Sequence, residues 1–239
     1  SVLKQDSGAR IVLLVPKIKA DFFRSVYEDK NVKVEGVDVR LLSNGRGVKL
    51  FSRLAFALQN SHYLWYKKKK KCLKSGNNLR SELIYWFEVT VTMVLSGNFF
   101  CRWVFRKFFQ GSRSPEMVVS FFDRYQPDYL FSTDVFDETD VLFLREATRR
   151  KVPTIGMVRS WDNCYSKGVM RVVPDRLIVN NEVLKEEAIV MHDMPKDKIF
   201  VGGLPQFDAS FTEDRTDREK FFKSVGADPN KKLVFFGPA

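Results

Sequence analysis

The segment VRSWDNCYSKG, residues 158–168, brings several chemically useful side chains close together. In a substrate-binding loop, Trp161 would stack on a sugar ring or a base, while Asp162 and Asn163 would hydrogen-bond hydroxyl groups. Lys167 would face a phosphate. The candidate substrate contacts in this segment are Ser160, Trp161, Asp162, Asn163, Lys167 and Gly168.

The same residue types also suit a purely structural loop. Trp161 would then cover the edge of the core, Asp162 and Asn163 would cap backbone amides, and Gly168 would turn the chain. The position of the segment directly after an apolar stretch favours substrate contact over this alternative.

A second group of acids follows the stretch LFST. A reaction in which a hydroxyl group attacks needs a carboxylate or a histidine to take its proton. Asp134 and Asp137 are the candidates for this catalytic base. The competing interpretation is structural: Asp137 caps the following helix, and Glu138 and Asp140 belong to its first turn.

The elements that must position these residues are short apolar runs alternating with helical patterns of 10 to 15 residues. This alternation predicts an α/β fold with a parallel, doubly wound, Rossmann-like sheet. Ligands of such sheets bind beyond the carboxyl ends of the strands. The loops expected there are residues 16–21, 133–139, 160–168 and 202–208. They add Lys17 and Gln206 as candidate substrate contacts.

Several classes of site are excluded by the residues present. The turn PKIKAD after the first strand has no glycine, which excludes a dinucleotide-binding fingerprint. Cys72, Cys101 and Cys164 form no CxxC pair and leave an odd thiol, which argues for a reducing compartment and against a zinc site. No bound metal or cofactor is therefore expected. The chain also opens without a secretory-signal pattern.

A basic, aromatic-rich insert occupies residues 47–113, and its pattern predicts two long helices. Between Arg46 and Arg113 there are 14 basic and two acidic residues, while the whole chain carries +11. A charge this localised calls for a local explanation. Contact with an anionic membrane surface is one, and each lysine near headgroups contributes roughly 1 kcal/mol. The predicted membrane contacts are Trp65, Lys67, Lys68, Lys69, Lys70, Lys71, Trp103, Arg106 and Lys107.

Two other interpretations of the insert remain open. It can be a solvated helix end over a buried aromatic face, or it can bind nucleic acid, although no nucleic-acid module is recognisable. A membrane span is not expected, because the least charged window, residues 89–101, is shorter than the ~20 residues that a span needs.

Two longer segments resemble a known group of proteins. They are PDYLFSTDVFDETDVLFLREATRRKVPTIGMVRSWDNCYSKG and PDRLIVNNEVLKEEAIVMHDMPKDKIFVGGLPQFD. Together they resemble bacterial GT-B-fold transferases of surface-polysaccharide assembly, a group with capsule-type glycosyltransferases, CDP-glycerol glycerophosphotransferases and UDP-GlcNAc 2-epimerases. The resemblance covers residues 127–208, and SWDN...KG, PDRLIV and KIFVGGLPQFD carry it.

The resemblance implies two Rossmann-like domains that face each other across a cleft. Residues 1–210 would form the acceptor-side domain, and residues 211–239 a linker helix and the first strand of a truncated second domain, where Gly237 would approach the donor. The implied activity is transfer of a sugar or glycerol-phosphate unit from a UDP-sugar or CDP-glycerol to a glycan or lipid-linked acceptor, without a bound metal. Such a fragment would not complete a catalytic cycle alone. The implied location is the cytoplasm, with peripheral contact to the inner face of the plasma membrane.

Two other functions compete with the transferase. One is a nucleotide-sugar 2-epimerase, which would not need the basic insert. The other is a non-catalytic α/β module that binds anionic lipid or RNA through residues 46–113. The sequence does not identify the donor, the acceptor, the stereochemistry or the oligomeric state.

Overall fold

The computed structural model describes residues 8–43, 46–59, 61–74, 79–96, 98–204, 207–208, 217–234 and 236. The chain is a mixed α/β protein whose described strands all pair in parallel. It divides into a large unit, Ser1–Gly203, and a small unit, Leu204–Ala239.

The described strands form two parallel ladders, one ordered β1-β2 and the other β3-β4-β5-β6. This arrangement is consistent with the predicted Rossmann-like class. It is simpler than a doubly wound sheet, because the strand order of the described residues follows the chain without a reversal. The strands are β1 (Ile11–Pro16), β2 (Val32–Val37), β3 (Leu130–Ser132), β4 (Thr154–Met157), β5 (Arg176–Val179) and β6 (Ile199–Val201).

Helices occupy most of the remaining described chain. Several begin at side-chain caps that the sequence supplies, as where Asn181 accepts a hydrogen bond from the Leu184 amide. The helices are α1 (Ala20–Tyr27), α2 (Val39–Ser43), α3 (Arg46–Ala57), α4 (His62–Lys74), α5 (Leu79–Ser96), α6 (Phe99–Gly111), α7 (Glu116–Tyr125), α8 (Glu138–Arg150), α9 (Asn163–Ser166), α10 (Glu182–His192) and α11 (Arg218–Ser224).

The basic insert consists of the four helices α3 to α6, so the prediction of two long helices is wrong. A local cap explains one of the breaks: the Asn98 side chain accepts a hydrogen bond from the Phe100 amide and starts α6 as a separate helix. The axes of α5 and α6 differ by 96°. Among the described helices none is long and apolar enough to cross a bilayer alone. Only when the bent pair α5–α6 is taken together is there enough length and apolar character to do so.

The insert is joined to the α/β part by apolar and ionic contacts. Leu58, directly after α3, and Phe105 of α6 pack with Val169 in one buried cluster. Arg102 and Arg106 of α6 both pair with Asp193, the residue after α10, at 2.6 and 2.7 Å. The main core continues under the four-stranded ladder, where Phe109 of α6 packs in the same cluster as helix α8.

The small unit contains α11, which begins at a cap where Asp217 accepts from the amides of Glu219 and Lys220. The strand predicted within residues 211–239 is not found among the described residues of that range, 217–234 and 236. Its backbone bonds instead to α11, because the Arg218 guanidinium donates to the carbonyl oxygens of Pro229 and Lys231.

Candidate functional site

Two acids meet at the carboxyl end of β3, the buried Asp134 and the half-buried Asp140. Asp140 in the first turn of α8 accepts hydrogen bonds from the Ser132 hydroxyl and the Asp134 amide, each at 3.0 Å. Burial raises the pKa of Asp140 above its ordinary value, although these two hydrogen bonds oppose the shift. Asp140 therefore shapes the turn that presents Asp134.

Asp134 lies at the centre of this edge. Its Oδ1 accepts from the Phe136 amide at 3.0 Å and from the Asn163 amide group at 3.4 Å, while the Arg159 guanidinium approaches Oδ2 at 3.3 Å. Burial raises the pKa of Asp134, and the Phe136 amide and Arg159 partly offset the rise. A carboxylate with a raised pKa is a stronger proton acceptor than an ordinary surface aspartate.

The motif loop, residues 160–168, is held together by its own side chains. Asp162 accepts from the hydroxyls of Ser160 and Ser166 at 2.6 and 2.9 Å. The hydrogen bond from Ser160 is the main reason why the pKa of Asp162 lies below its ordinary value. Asp162 thus remains a charged acceptor that orders the loop through two hydroxyl groups, and it makes no side-chain cap to the backbone amides of α9, unlike the cap that the structural interpretation predicted.

The insert and α10 hold the motif loop from outside. Gln59 donates to the Cys164 carbonyl oxygen, and Ser61 donates to that of Tyr165 at 2.7 Å. His192 lies 2.7 Å from the same Cys164 oxygen through Nε2, and its Nδ1 accepts from the Met170 amide at 3.1 Å. Since Nδ1 is an acceptor, Nε2 carries the proton and donates to Cys164.

His192 is accordingly neutral. Burial lowers the pKa of this imidazole to about 3. The sequence predicts a partly charged histidine at a helix C-terminus. The position is confirmed, but the charged state is wrong because no water reaches the ring.

Gly168 is required for the close approach of the insert. Its φ of +84° lies in the left-handed region, and a Cβ built there would lie 2.9 Å from the Ala55 carbonyl carbon. The next residue, Val169, donates its amide to the Ala55 carbonyl oxygen at 3.0 Å. Gly168 therefore allows the motif loop to lie against the backbone of α3.

The exposed residues of the loop are Trp161 and Lys167. The Trp161 ring lies 6.3 Å from Tyr165, which contacts Tyr63 of α4 edge-on at 6.1 Å. Trp161 is 68% exposed and supported from below by Tyr165, so it offers an aromatic face to solvent. We call the side chains that follow β3 and β4, namely Asp134, Arg159, Trp161 and Asn163, the polar edge. Trp161 and the exposed Arg159 form its solvent-accessible side.

Sequence reasoning missed two residues of this edge, Arg159 and Asn180. Asn180 follows β5 and is buried, yet neither its Nδ2 nor its Oδ1 has a hydrogen-bond partner among the described residues. Arg159 follows β4 and Asn180 follows β5, and because these strands pair in parallel, both residues leave the same edge of the ladder. The detectable signal was the pair of asparagines that ends the stretch LIVNN, directly after a strand.

A shallow cleft of about 220 Å³ lies between α3 and the start of α8. Lys49, Ser52 and Arg53 line it together with Glu138, and Arg171 pairs with Glu138 at 2.6 Å. The cleft is basic on the α3 side, which gives this face of the large unit an attraction for anions.

The remaining predicted site residues, from the catalytic, substrate and donor groups, are Asp137, Lys17, Gln206 and Gly237. Asp137 caps α8 by accepting from the amides of Thr139 and Asp140, so it performs the structural role. Lys17 begins the exposed turn after β1, in the separate two-stranded ladder. Gln206 and Gly237 lie outside the described residues.

The predicted membrane contacts fall into two groups. Trp103, Lys67, Lys69, Lys70 and Lys107 are exposed, and Lys67, Lys70 and Lys107 lie over aromatic rings at 4.6 to 5.9 Å. Trp65 is half-buried. For Lys71 the side chain lies outside the described residues.

The prediction that Arg106 and Lys68 contact a membrane is wrong, because both side chains point into the protein. Arg106 is buried and donates to Asp193 and to the carbonyl oxygens of Met170 and His192. Lys68 donates to the Thr92 hydroxyl and to the Glu88 carbonyl oxygen, and burial lowers its pKa.

In the part of the chain that the structure describes, no group of three or more His, Cys, Asp or Glu side chains is placed to hold a metal ion. Comparison with family models, with curated proteins and with solved structures finds no match to this chain. Inferences about its function therefore depend on the resemblance of its motifs and on the geometry of the polar edge.

Proposed function

We propose that the large unit is the acceptor-side part of a transferase. It would move a sugar or glycerol-phosphate unit from a UDP-sugar or CDP-glycerol to a hydroxyl of a glycan or lipid-linked acceptor. The observation that carries the proposal is Asp134: a buried carboxylate with a raised pKa, at the strand edge where ligands of α/β proteins bind, in contact with Arg159 and Asn163.

The chemistry assigns one proton transfer to this carboxylate. The acceptor hydroxyl gives its proton to Asp134 as its oxygen attacks the donor. With a UDP-sugar, the new bond forms to the anomeric carbon and the bond to UDP breaks. With CDP-glycerol, it forms to the phosphorus next to glycerol and CMP leaves.

The side chains near Asp134 and in the motif loop would bind the substrates and balance their negative charge. Arg159 lies over Asp134 Oδ2 with most of its side chain in solvent, so it moves aside or bonds to the substrate when a hydroxyl approaches. Trp161 gives a ring for stacking on a sugar, and Lys167 gives a cation near the loop for a phosphate group. Asn180 offers an unpaired buried amide to a polar ligand group.

A pair of matched tryptophan variants tests ligand binding. Trp161→Ala removes the proposed stacking ring, and Trp86→Ala removes an indole of similar exposure on α5, 62% against 68%. Titration calorimetry with UDP-GlcNAc, CDP-glycerol and a short glycerol-phosphate oligomer should show binding about ten-fold weaker for Trp161→Ala, since ring stacking contributes ~1–3 kcal/mol. Trp86→Ala should bind as the unchanged chain does.

Asp134→Asn tests the proposed base. Because the acceptor-side unit is not expected to complete a catalytic cycle alone, transfer is measured with a donor-binding domain present. Asp134→Asn should then lower kcat by roughly 10²–10⁴ with little change in KM, because proton transfer is lost while binding contacts remain. Failure of all three ligands to bind, or equal affinities of Trp161→Ala and Trp86→Ala, would overturn the proposal.

A further inference from the structure

Helix α5 buries small and polar side chains and exposes large apolar ones, the reverse of an ordinary surface helix. Its buried positions are held by small or polar residues, Ser81, Thr92 and Ser96, together with Val89. Its exposed face carries large apolar side chains, which recur on successive turns as Leu79, Leu83, Trp86, Phe87, Met93 and Val94. A soluble helix normally shows the opposite distribution, so the outward face of α5 is built to meet something other than water.

The same pattern continues on α6. Phe99, Phe100, Trp103 and Phe108 are exposed, while the charged Arg102 and Arg106 are buried against Asp193. Because α5 and α6 meet at 96°, their apolar faces belong to a bent pair rather than to one straight rod. The two helices expose large apolar groups well beyond what scattered surface residues explain.

Hydrogen bonds on the buried side of α5 determine which side of the helix faces outward. Lys68 of α4 donates to the Thr92 hydroxyl and to the Glu88 carbonyl oxygen, and Arg102 donates to the Ser96 carbonyl oxygen at 2.5 Å. These hydrogen bonds keep the polar side of α5 against the protein. Rotating the helix to bury its aromatic side would break them.

The basic side chains around α5 indicate what its exposed apolar face binds. Residues 46–113 carry 14 basic and two acidic side chains, and Lys67, Lys69 and Lys70 are exposed on the helix that packs against α5. Protein–protein interfaces are depleted in lysine, whereas an anionic bilayer attracts it. A nucleic acid would give no role to Leu83, Met93 and Val94. Apolar side chains flanked by lysines and tryptophans match a bilayer interface.

We infer that α5 and α6 form a monotopic membrane-docking surface. It inserts its apolar face into the headgroup and upper acyl region of an anionic bilayer, with α5 lying along the surface. Trp86 and Trp103 enter the interface, and the exposed lysines of α4 contact the anionic headgroups. This assignment does not depend on the proposed transferase activity.

Vesicle flotation of the whole chain tests the inference. With vesicles of equal parts phosphatidylcholine and phosphatidylglycerol, the chain should float, and salt or pure phosphatidylcholine should weaken binding. Phe87→Ser with Val94→Ser should reduce partitioning by about ten-fold or more, because two apolar side chains no longer leave water. The matched control is Phe200→Ser with Val190→Ser, two side chains that are 67% and 68% exposed outside the insert, against 69% for both targets. It should float as the unchanged chain does.

Quenching by lipids with brominated tails locates the inserted residues. Trp86→Phe should lower the quenched fraction of tryptophan fluorescence, and Trp161→Phe should not. Absence of flotation, equal partitioning of the two double variants, or unchanged quenching in Trp86→Phe would each overturn the inference. So would a chain that dimerises without lipid and becomes monomeric on Phe87→Ser with Val94→Ser, because the face would then belong to a second copy.

Discussion

Removal of the charge on Asp193 should weaken the attachment of the insert to the α/β part of the large unit. Asp193 accepts hydrogen bonds from Arg102 at 2.6 and 2.8 Å and from Arg106 at 2.7 Å. All three side chains are largely buried. Asp193→Asn is the cleanest substitution, since asparagine tolerates the left-handed φ of +58° found at this position.

The expected cost follows from leaving two buried guanidinium groups without a counter-ion. Loss of one partner of a buried ion pair typically costs about 3–5 kcal/mol. The asparagine oxygen still accepts one hydrogen bond, and Arg106 keeps the Met170 and His192 carbonyl oxygens. We therefore expect a loss of roughly 3 kcal/mol in the free energy of unfolding, the lower end of that range.

Urea denaturation followed by circular dichroism measures this loss. The control is Asp21→Asn, which breaks the solvent-exposed pair with Arg24 at 2.9 Å and should cost about 0.5 kcal/mol or less. A cost below about 1 kcal/mol for Asp193→Asn would refute the reasoning, because the buried pair would then be no more valuable than a surface one.

The pH dependence of the same cluster has a definite sign. Burial alone would raise the pKa of Asp193, but the hydrogen bonds from Arg102 and Arg106 outweigh it and hold the pKa below the ordinary 3.8. A lowered folded-state pKa gives stability that is present above the unfolded pKa and lost as pH falls below it. The ion-pair contribution should therefore be complete at pH 5 and decline below about pH 4.

Two more predictions concern the support of the motif loop. Gly168→Ala should destabilise the fold by about 3 kcal/mol, because it adds a strained φ and a clash with the Ala55 backbone. The control is Gly203→Ala, at φ +74° with open space around it, which should cost only about 1 kcal/mol in the same urea assay. Equal costs of the two substitutions would exclude the clash. The lowered pKa of His192, about 3, gives stability that is full above the ordinary 6.5 and falls with acid, so the unchanged chain should lose about 2 kcal/mol between pH 7 and pH 5. His192→Gln should show a much smaller loss over that interval, and an identical pH profile would contradict the assignment.

The strands and their loops could be predicted from the sequence because both depend on local patterns. The run LIV in PDRLIVNN can satisfy its backbone and bury its side chains only as a short interior strand, and the structure places β5 there. Asp137 could likewise be recognised as a helix cap from its position alone. The division into two ladders could not be predicted, since it depends on which strands hydrogen-bond across distant parts of the chain.

The orientation of α5 could not be predicted from periodicity. Apolar residues occur around most of its circumference, so the pattern does not indicate which side faces inward. The choice is made by Lys68 and Arg102, which come from neighbouring helices and bond to its polar side. The sequence suggested lysines and tryptophans as membrane contacts, whereas Lys68 and Arg106 are needed inside to hold the helices in place.

The distribution of side chains in the motif loop indicates why a basic insert and a polar strand edge occur in one unit. Two backbone carbonyl groups of the loop, those of Cys164 and Tyr165, are bonded to Gln59 and Ser61 of the insert. The loop therefore cannot keep its shape unless α3 and α4 are in place, and α4 in turn is bonded to α5 through Lys68. A ligand that binds at Trp161 would thus be held by a loop that the insert supports, and the apolar surface lies on α5 and α6 of the same insert. A direct chain of hydrogen bonds therefore connects the motif loop to α5, a connection that the proposed transferase would require if its acceptor is anchored in a bilayer.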